Sequence, residues 1–251
     1  MDLELEGKRA IVTGGSRGIG KQIARVLGQE GADVAIAARD AERLAATAEE
    51  LATETGRRVL PYTVDTGDDA SVRDMVNRAV ADLGGVDILI NGAAMPGGFA
   101  PPPKLDGITV EALWDDVNVK VMGYIRCAQA VAPHMIAQGW GRIVNLSGMA
   151  ARQSGTTIGS MRNVSVVAMT KNLADELGEH GINVTVVHPG GTRTERTTPE
   201  AEERLAGNTL RRVIDAADVA NVVAFLCSPK AVAITGDVIA AGGGVGRAIH
   251  Y

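Results

Sequence analysis

The chain has 251 residues, of which 45% are hydrophobic and 22% charged, and its formal net charge is −5. This composition is typical of a globular protein, and the negative charge argues against a nucleic-acid partner. No apolar run reaches the length of a membrane span, so we expect a cytoplasmic protein without a membrane partner. The two cysteines, Cys127 and Cys227, are expected to be buried free thiols rather than a disulfide or a metal site.

Short apolar runs alternate along the chain with longer amphipathic segments. The apolar runs predict strands at Arg9–Thr13, Asp33–Ala37, Val59–Val64, Ile88–Asn91, Arg142–Leu146, Asn183–Val187 and Asp237–Ala240. The segments between them predict helices at Gly18–Gly28, Ala41–Thr55, Ala70–Leu83, Val110–Gln138 (long enough for two), Ser160–Leu177 and Ala217–Cys227.

This alternation predicts an α/β fold. The strands are almost continuously apolar, which is typical of parallel strands that helices cover on both faces. We therefore predict a doubly wound, mostly seven-stranded parallel sheet of the Rossmann type, and a single domain over residues 1–251. Ligands of such sheets bind beyond the carboxyl ends of the strands.

A glycine-rich turn directly follows the first predicted strand. It reads Thr13-Gly14-Gly15-Ser16-Arg17-Gly18-Ile19-Gly20 and leads into the first predicted helix. Glycines allow the backbone to turn sharply and to approach a ligand, and the free amides at the helix start favour an anion. The turn therefore predicts a dinucleotide partner, whose pyrophosphate it would hold.

Two unusual loops also follow predicted strands. Met95–Ile108 contains four prolines, and Gly191–Gly207 is polar and rich in Thr, Arg and Glu. Both lie where the rim of an active site would be, so contact with the substrate and plain surface connection are both open for them.

Further motifs lie in order along the chain. They are Asp65 after the third strand, Asn91-Gly92-Ala93-Ala94 after the fourth, Asn118 in a helix, Asn145-Leu146-Ser147 ending the fifth strand, Pro189-Gly190 after the sixth, and Gly236-Asp237 before the last. With the spacing of the glycine turn, this set resembles the short-chain dehydrogenase/reductase family over essentially the whole chain.

The resemblance implies roles for these residues around a nicotinamide cofactor. The glycine turn would line the pyrophosphate and adenosine side, and Asp65 with Thr66 would bind the adenine edge. The alternatives are a turn without a ligand and a helix-capping role for Asp65. The implied set is Gly14, Ser16, Arg17, Gly18, Ile19 and Gly20; Asn91, Gly92 and Ala93 near the ribose; and Pro189, Gly190, Thr192 and Thr194 beside the nicotinamide.

The end of the second strand bears on the phosphate of the cofactor. An acid there would hydrogen-bond a ribose diol and repel a 2′-phosphate, but this chain has Ala38 followed by Arg39. Arg17 lies on the same side, and guanidinium groups suit bidentate phosphate contacts. The sequence therefore favours NADP(H), with NAD(H) the less favoured cofactor. The alternative for Arg39 is an ion pair with Asp40 or Glu42.

The catalytic pattern of the family is incomplete in this chain. The resemblance implies a serine, a tyrosine and a lysine, and Ser147 matches the serine. The tyrosine position falls on Gly159 or Ser160, and the lysine position on Asn163 or Val164. No tyrosine occurs between Tyr124 and Tyr251.

We therefore predict a non-standard proton donor, because a positioned general acid contributes roughly 10²–10⁴ in rate. Asn163 would hydrogen-bond ribose hydroxyls, and Gly159 would leave an empty space where the phenol would stand. The resemblance implies that Asn118 helps to hold a relay water through its backbone. Tyr124 is expected to be a core or interface aromatic and Arg162 a surface ion-pair partner. His188 and the terminal His250 and Tyr251 are further candidates.

Three functions stay open on the sequence. The first is an NADP(H)-dependent oxidoreductase acting on a carbonyl or alcohol, with water, His188 or a substrate group as proton donor. The second is a non-redox lyase or isomerase on the same scaffold. The third is a catalytically silent cofactor-binding subunit that pairs with an active homologue. The resemblance also implies a homotetramer or homodimer formed through the helices at Val121–Gln138 and Ser160–Leu177.

Overall fold

A seven-stranded parallel sheet forms the centre of the computed structural model, which describes residues 1–94 and 103–246. The strands lie in the order β3-β2-β1-β4-β5-β6-β9, and every neighbouring pair is parallel. A separate parallel pair joins β7 to β8. The strands are β1 Arg9–Thr13, β2 Asp33–Ala38, β3 Val59–Thr63, β4 Ile88–Asn91, β5 Gly141–Leu146, β6 Ile182–Pro189, β7 Thr192–Arg193, β8 Ile214–Asp215 and β9 Val238–Ala241.

Helices cover both faces of the large sheet. A π-helical segment, Val117–Met122, joins α4 to α5 without a break in the helical backbone. The helices are α1 Gly18–Gln29, α2 Ala41–Thr55, α3 Asp69–Leu83, α4 Val110–Asp116, α5 Gly123–Gln138, α6 Thr157–Leu177, α7 Pro199–Leu205 and α8 Ala216–Cys227.

Alternate side chains of each strand enter opposite cores, as the period of a strand requires. In β1, Val12 packs on the side of α1, α2 and α8, whereas Ile11 packs on the side of α3, α5 and α6. The inner strands β1, β2, β4, β5 and β6 are thus buried on both faces, whereas the edge strands β3 and β9 are partly exposed. The predicted doubly wound fold is confirmed.

The helix ends follow from local chemistry. Asp40 caps α2 by accepting a hydrogen bond from the backbone N–H of Arg43 at 3.1 Å, and Gly56 ends that helix with a left-handed φ of +67°. Asp68 likewise caps the start of α3, and Gly84 ends α3 in the left-handed conformation. These signals explain why the predicted bounds of both helices agree with the structure to within one residue.

The structure also departs from the predicted elements. The pair β7–β8 and helix α7 were not predicted, because a two-residue strand and a short polar helix leave no periodic pattern. Cys127 and Cys227 are free and buried, as expected. Most of the predicted loop at Met95–Ile108, and also His250 and Tyr251, lie outside the described residues.

Neither a membrane span nor a metal cluster is found in the described ranges. No helix there combines the length and apolar character needed to cross a bilayer. No group of three or more His, Cys, Asp or Glu side chains in those ranges is placed to hold a metal ion.

Candidate active site

A cleft opens where β1 and β4 end side by side. The helix after β1 covers one face of the sheet and the helices after β4 cover the other, so the chain diverges at this point. The cleft has a volume of about 440 Å³. The predicted site residues that line it are Gly14, Ser16, Arg17, Gly18, Ile19, Gly20, Arg39, Asp65, Thr66, Gly92, Ala93, Ser147, Pro189 and Thr194.

The glycine turn packs with no room for side chains. Gly14 has a φ of +72°, and a Cβ there would lie 2.7 Å from the carbonyl oxygen of Gly92. A Cβ on Gly20 would lie 2.2 Å from the carbonyl oxygen of Gly14. These contacts bring the start of α1 against the cleft with its backbone amides facing outward.

A carboxylate from the protein contacts the first of these amides. The backbone N–H of Gly18 donates to both carboxylate oxygens of Glu195, each at 3.1 Å. No side chain caps α1 at Arg17. The helix start therefore accepts an anion, as the pyrophosphate prediction requires. A bound diphosphate would have to displace Glu195 from this place.

Guanidinium groups surround the end of the cleft beside the glycine turn and the end of β2, here called the adenosine end after the role that the resemblance implies for it. Arg17, Arg39, Arg43 and Arg196 all line it. Desolvation and the neighbouring charges of Arg196 and Arg43 lower the pKa of Arg17, whereas the charges of Glu195 and Asp40 oppose this shift, so several guanidinium groups lie close together here with carboxylates near them.

Arg39 keeps its guanidinium available at this end of the cleft. Within residues 1–94 and 103–246 it makes neither a hydrogen bond nor an ion pair. The alternative pairing of Arg39 with Asp40 or Glu42 is therefore absent there, and Asp40 instead lies 3.4 Å from Arg43 in an exposed pair.

Asp65 and Thr66 lie at the adenosine end, but Asn118 does not face the cleft. Asp65 accepts a hydrogen bond from Gly67 N–H at 2.9 Å, so its carboxylate also shapes a turn. The exposed Asn118 side chain donates to the carbonyl oxygen of Gly67 and accepts from Arg126. The Asn118 side chain therefore lies on the outer face of the helix, and the role that the resemblance implies for its backbone, holding a water, stays a prediction.

Three other predicted cofactor residues lie behind the cleft wall. Asn91 is fully buried and donates to the side-chain oxygen of Asn145 at 2.9 Å. Gly190 packs so closely on Gly242 that a Cβ would come within 2.7 Å of its Cα. Thr192 donates its hydroxyl to the carbonyl oxygen of Gly190. In this structure they support the cleft rather than line it.

The predicted catalytic residues Ser147 and Asn163 meet at one end of the cleft. Ser147 directly follows β5, and its hydroxyl donates to the backbone carbonyl of Asn163 at 3.0 Å. The Asn163 side chain is buried and does not line the cleft. Its amide oxygen instead accepts a hydrogen bond from a lysine, Lys120, at 3.1 Å.

Lys120 is the functional candidate that sequence reasoning missed. Its side chain is only 4% exposed, yet it lines the cleft beside Ser147, whose carbonyl oxygen it also contacts at 3.4 Å. Desolvation is the main cause that lowers the pKa of Lys120 to about 7. The one available signal was a lysine in the otherwise apolar run Val119–Met122.

The other proposed substitutes are occupied elsewhere. Arg162 forms an ion pair with Asp116 at 2.7 Å, but this pair lies largely inside the protein rather than on its surface. Tyr124 is a core aromatic whose hydroxyl donates to the carbonyl oxygen of Leu146, and its ring edge reaches the cleft. His188 is buried in β6.

The space at Gly159 is not empty, which corrects the predicted gap. A Cβ there would lie 2.4 Å from the hydroxyl of Thr156, because that hydroxyl caps α6 and accepts from the Gly159 N–H. A larger side chain at this position therefore requires Thr156 to leave its capping place.

A family model described as short chain dehydrogenase matches residues 8–205. The chain belongs to this family.

Among its relatives is the (2S)-[(R)-hydroxy(phenyl)methyl]succinyl-CoA dehydrogenase subunit BbsD of Thauera aromatica. It is 36% identical over 246 residues, which cover 96% of this chain and 97% of the relative. The short-chain dehydrogenase resemblance is therefore confirmed along almost the full length, and the protein is an oxidoreductase of this type.

Two solved structures of the family carry different cofactors. A short chain dehydrogenase from Burkholderia cenocepacia in complex with NADP is 35% identical, with a TM-score of 0.85, over 96% of this chain and 98% of that one. A 7α-hydroxysteroid dehydrogenase complexed with NADH is 31% identical, with a TM-score of 0.88, over 97% and 96%. Family membership thus implies a nicotinamide dinucleotide without selecting between the two.

The contact between Glu195 and Gly18 generates the first prediction. Glu195→Gln is expected to lower the Kd of both NADPH and NADH by about two- to fivefold, because the competing anion leaves the helix start. Calorimetric titration measures both constants. Glu200→Gln, on the same polar segment, is the matched control and should leave them unchanged. Equal affinities in wild type and Glu195→Gln would show that this carboxylate does not compete with the diphosphate.

Proposed function

We propose that this oxidoreductase uses NADP(H) to interconvert a carbonyl and an alcohol, with a proton donor other than a tyrosine. The observation that carries the proposal is the cleft itself. It joins a helix start that accepts an anion to a cluster of arginines at one end and to Ser147 at the other. When bound, a reduced nicotinamide supplies a hydride, and the residues of the chain bind, orient and exchange the proton.

The arginine cluster supports NADP(H) over NAD(H). Ala38 ends β2 where an acid would select a ribose diol, and Arg39 follows it with its guanidinium unpaired within the described ranges. Arg17 and Arg43 lie beside it. A 2′-phosphate placed among these groups would gain charge-assisted hydrogen bonds and relieve the repulsion between the guanidinium groups.

The chemistry at the other end supports a non-standard proton donor. The family's phenol position falls on Gly159 or Ser160 and its amine position on Asn163 or Val164, all near the start of α6. Neither register supplies a phenol or an amine. The Ser147 hydroxyl can donate a hydrogen bond to a substrate oxygen when it gives up its bond to the Asn163 carbonyl, which orients the substrate carbonyl but does not replace a general acid.

A partner-subunit role is the second candidate. The Thauera relative is named as a subunit of a dehydrogenase, and this name supports such a role for the chain. A chain that keeps the cofactor cleft but lacks the phenol could bind the dinucleotide and leave the chemistry to a homologue. Co-purification with a homologous chain would favour this role.

Transfer of deuteride tests the redox function. With NADPH deuterated at C4, we expect mass spectrometry to find deuterium in the alcohol formed from 7-oxoglycochenodeoxycholate or acetoacetyl-CoA. Ser147→Ala should lower this turnover at least about tenfold, because the substrate carbonyl loses its orienting hydroxyl. Saturable NADPH binding without any deuterium transfer would contradict the redox function and leave the partner-subunit role.

Arg39 tests the cofactor preference. Arg39→Ala is expected to raise the Kd of NADPH about 10- to 100-fold, because the 2′-phosphate loses a guanidinium partner. The Kd of NADH should stay within twofold, because NADH has no 2′-phosphate. Arg73→Ala, an exposed arginine on α3, is the matched control. A wild-type protein that binds NADH more tightly than NADPH would overturn the preference.

Exposed apolar side chains on neighbouring helices support the predicted self-association. Met122 and Ile136 are about two-fifths exposed at the π segment and on α5, and Met161 and Val164 are half exposed on α6. These helices are the ones that the family resemblance implies as an interface. We propose that a second copy of the chain covers them.

Light scattering tests this interface. The double variant Met161→Glu with Val164→Glu is expected to reduce the molar mass from that of a dimer or tetramer to that of a smaller species, because buried charge opposes association. Val232→Glu is the control, since Val232 is 65% exposed outside these helices. A monomeric wild-type protein would contradict the proposal.

A further inference from the structure

The cleft contains one buried amine, and the environment of that amine suits proton transfer. Lys120 Nζ donates to the Asn163 side chain and, at longer range, to the carbonyl oxygen of Ser147. An ammonium carries three N–H groups, so one remains for a ligand when these two contacts are made. Because Lys120 and Ser147 line the same cleft, an oxygen held by the Ser147 hydroxyl would lie on the side of that ammonium.

We infer that Lys120 is the catalytic proton donor for carbonyl reduction and the base for alcohol oxidation. This inference rests on the proposed redox function and names the donor which that function lacks. Asn163, which lies on α6, positions Lys120 because its side-chain oxygen accepts a hydrogen bond from the ammonium group. The amine thus comes from the helix after β4, whereas the family's amine comes from α6.

The proposed step balances without a further reactant. The carbonyl carbon accepts the hydride that the reduced nicotinamide supplies, and the π electron pair of the carbonyl moves to oxygen. That oxygen takes a proton from Lys120 Nζ, which forms the O–H bond of the alcohol and leaves a neutral amine. Water returns the proton to the amine before the next turnover, and the oxidation follows the same path in reverse.

The electrostatics around Lys120 support this assignment. The side chain is held in a desolvated place that lowers its pKa to about 7, where both protonation states are accessible. Among the described residues, the positive charge of Arg162 further lowers this pKa and the negative charge of Asp116 raises it. These two residues form an ion pair, so their effects on Lys120 oppose each other. The Tyr124 ring centre lies 6.0 Å from Nζ.

The neighbouring phenol is less suited to the task. The Tyr124 hydroxyl already donates to a backbone carbonyl, and burial raises the pKa of Tyr124 far above the working range of an enzyme. Asn163 and Ser147 have no proton of comparable acidity to give. Among the described residues that line this end of the cleft, Lys120 is therefore the group that combines access with a suitable acidity.

Steady-state kinetics over pH test the inference with NADPH and the carbonyl probe that the wild type reduces best. For the wild type, kcat/KM for reduction should fall as the pH rises through about 7, and kcat/KM for oxidation should rise over the same interval. Lys120→Met should lose about 10²- to 10⁴-fold in both directions and lose the inflection. Lys120→Arg should remove the inflection from this range.

The control is Lys171→Met, because Lys171 is an exposed lysine on α6 that pairs with Asp175 and does not line the cleft. It should keep the wild-type rate and pH profile. A wild type that transfers hydride while Lys120→Met keeps its rate and inflection would overturn the inference and leave the redox function intact. A wild type without any hydride transfer would instead overturn both.

Thermal unfolding gives a readout that does not depend on activity. The unfolded chain keeps the Lys120 proton up to an ordinary pKa of 10.5, whereas the folded chain releases it near 7. Burial of the charge therefore costs stability most below pH 7, and the cost declines between pH 7 and 10.5. Lys120→Met should melt higher than the wild type at pH 6, and this difference should shrink towards pH 10. A constant difference would show that Lys120 is not a buried titrating amine.

Discussion

The close approach of the backbones after β1 and β4 is the constraint on which the site depends. Gly14 lies against the carbonyl of Gly92, and the Thr13 hydroxyl accepts hydrogen bonds from the Gly92 and Ala93 amides at 3.1 and 3.3 Å. These contacts fix the two strand ends where their following helices pass to opposite faces of the sheet. The cleft is the space that this divergence leaves, and the start of α1 faces it because Gly20 also packs without a side chain.

The two ends of the cleft are built on different principles. At the adenosine end, several guanidinium groups lie near one another and near the Glu195 carboxylate, an arrangement that suits an anionic ligand. At the Ser147 end, a single amine is desolvated and held by an amide and a carbonyl oxygen. Burial without a charged partner makes an amine more acidic. The burial of Lys120 therefore reduces the stability of the fold, but it also brings the pKa of the amine into the range that proton transfer requires.

The sequence was sufficient for the fold and for the dinucleotide half of the site. Strands such as β1 and β4 have the predicted bounds, because buried parallel strands are continuously apolar and end in small or polar residues. The catalytic half could not be read in the same way. Asn118 and Lys120 are two residues apart, and such positions face nearly opposite directions on a helix, so the choice between them depends on the rotation of the π segment.

Other parts of the site required the tertiary structure for a related reason. Glu195 contacts Gly18 across 177 residues, and no local pattern marks that meeting. The gap expected at Gly159 is closed by the Thr156 hydroxyl, whose capping role depends on where α6 begins. Such contacts depend on the positions of distant loops and helix starts in the folded chain, which local sequence patterns do not specify.

The most direct measurement follows the backbone amide of Gly18 by nuclear magnetic resonance while NADP⁺ is added to isotopically labelled protein. The resonance of this amide should move strongly and saturably, because a diphosphate oxygen replaces the Glu195 carboxylate as its acceptor. Saturation of other signals with an unmoved Gly18 amide, or no saturation at all in the folded protein, would contradict the assignment of this helix start as the cradle of the cofactor.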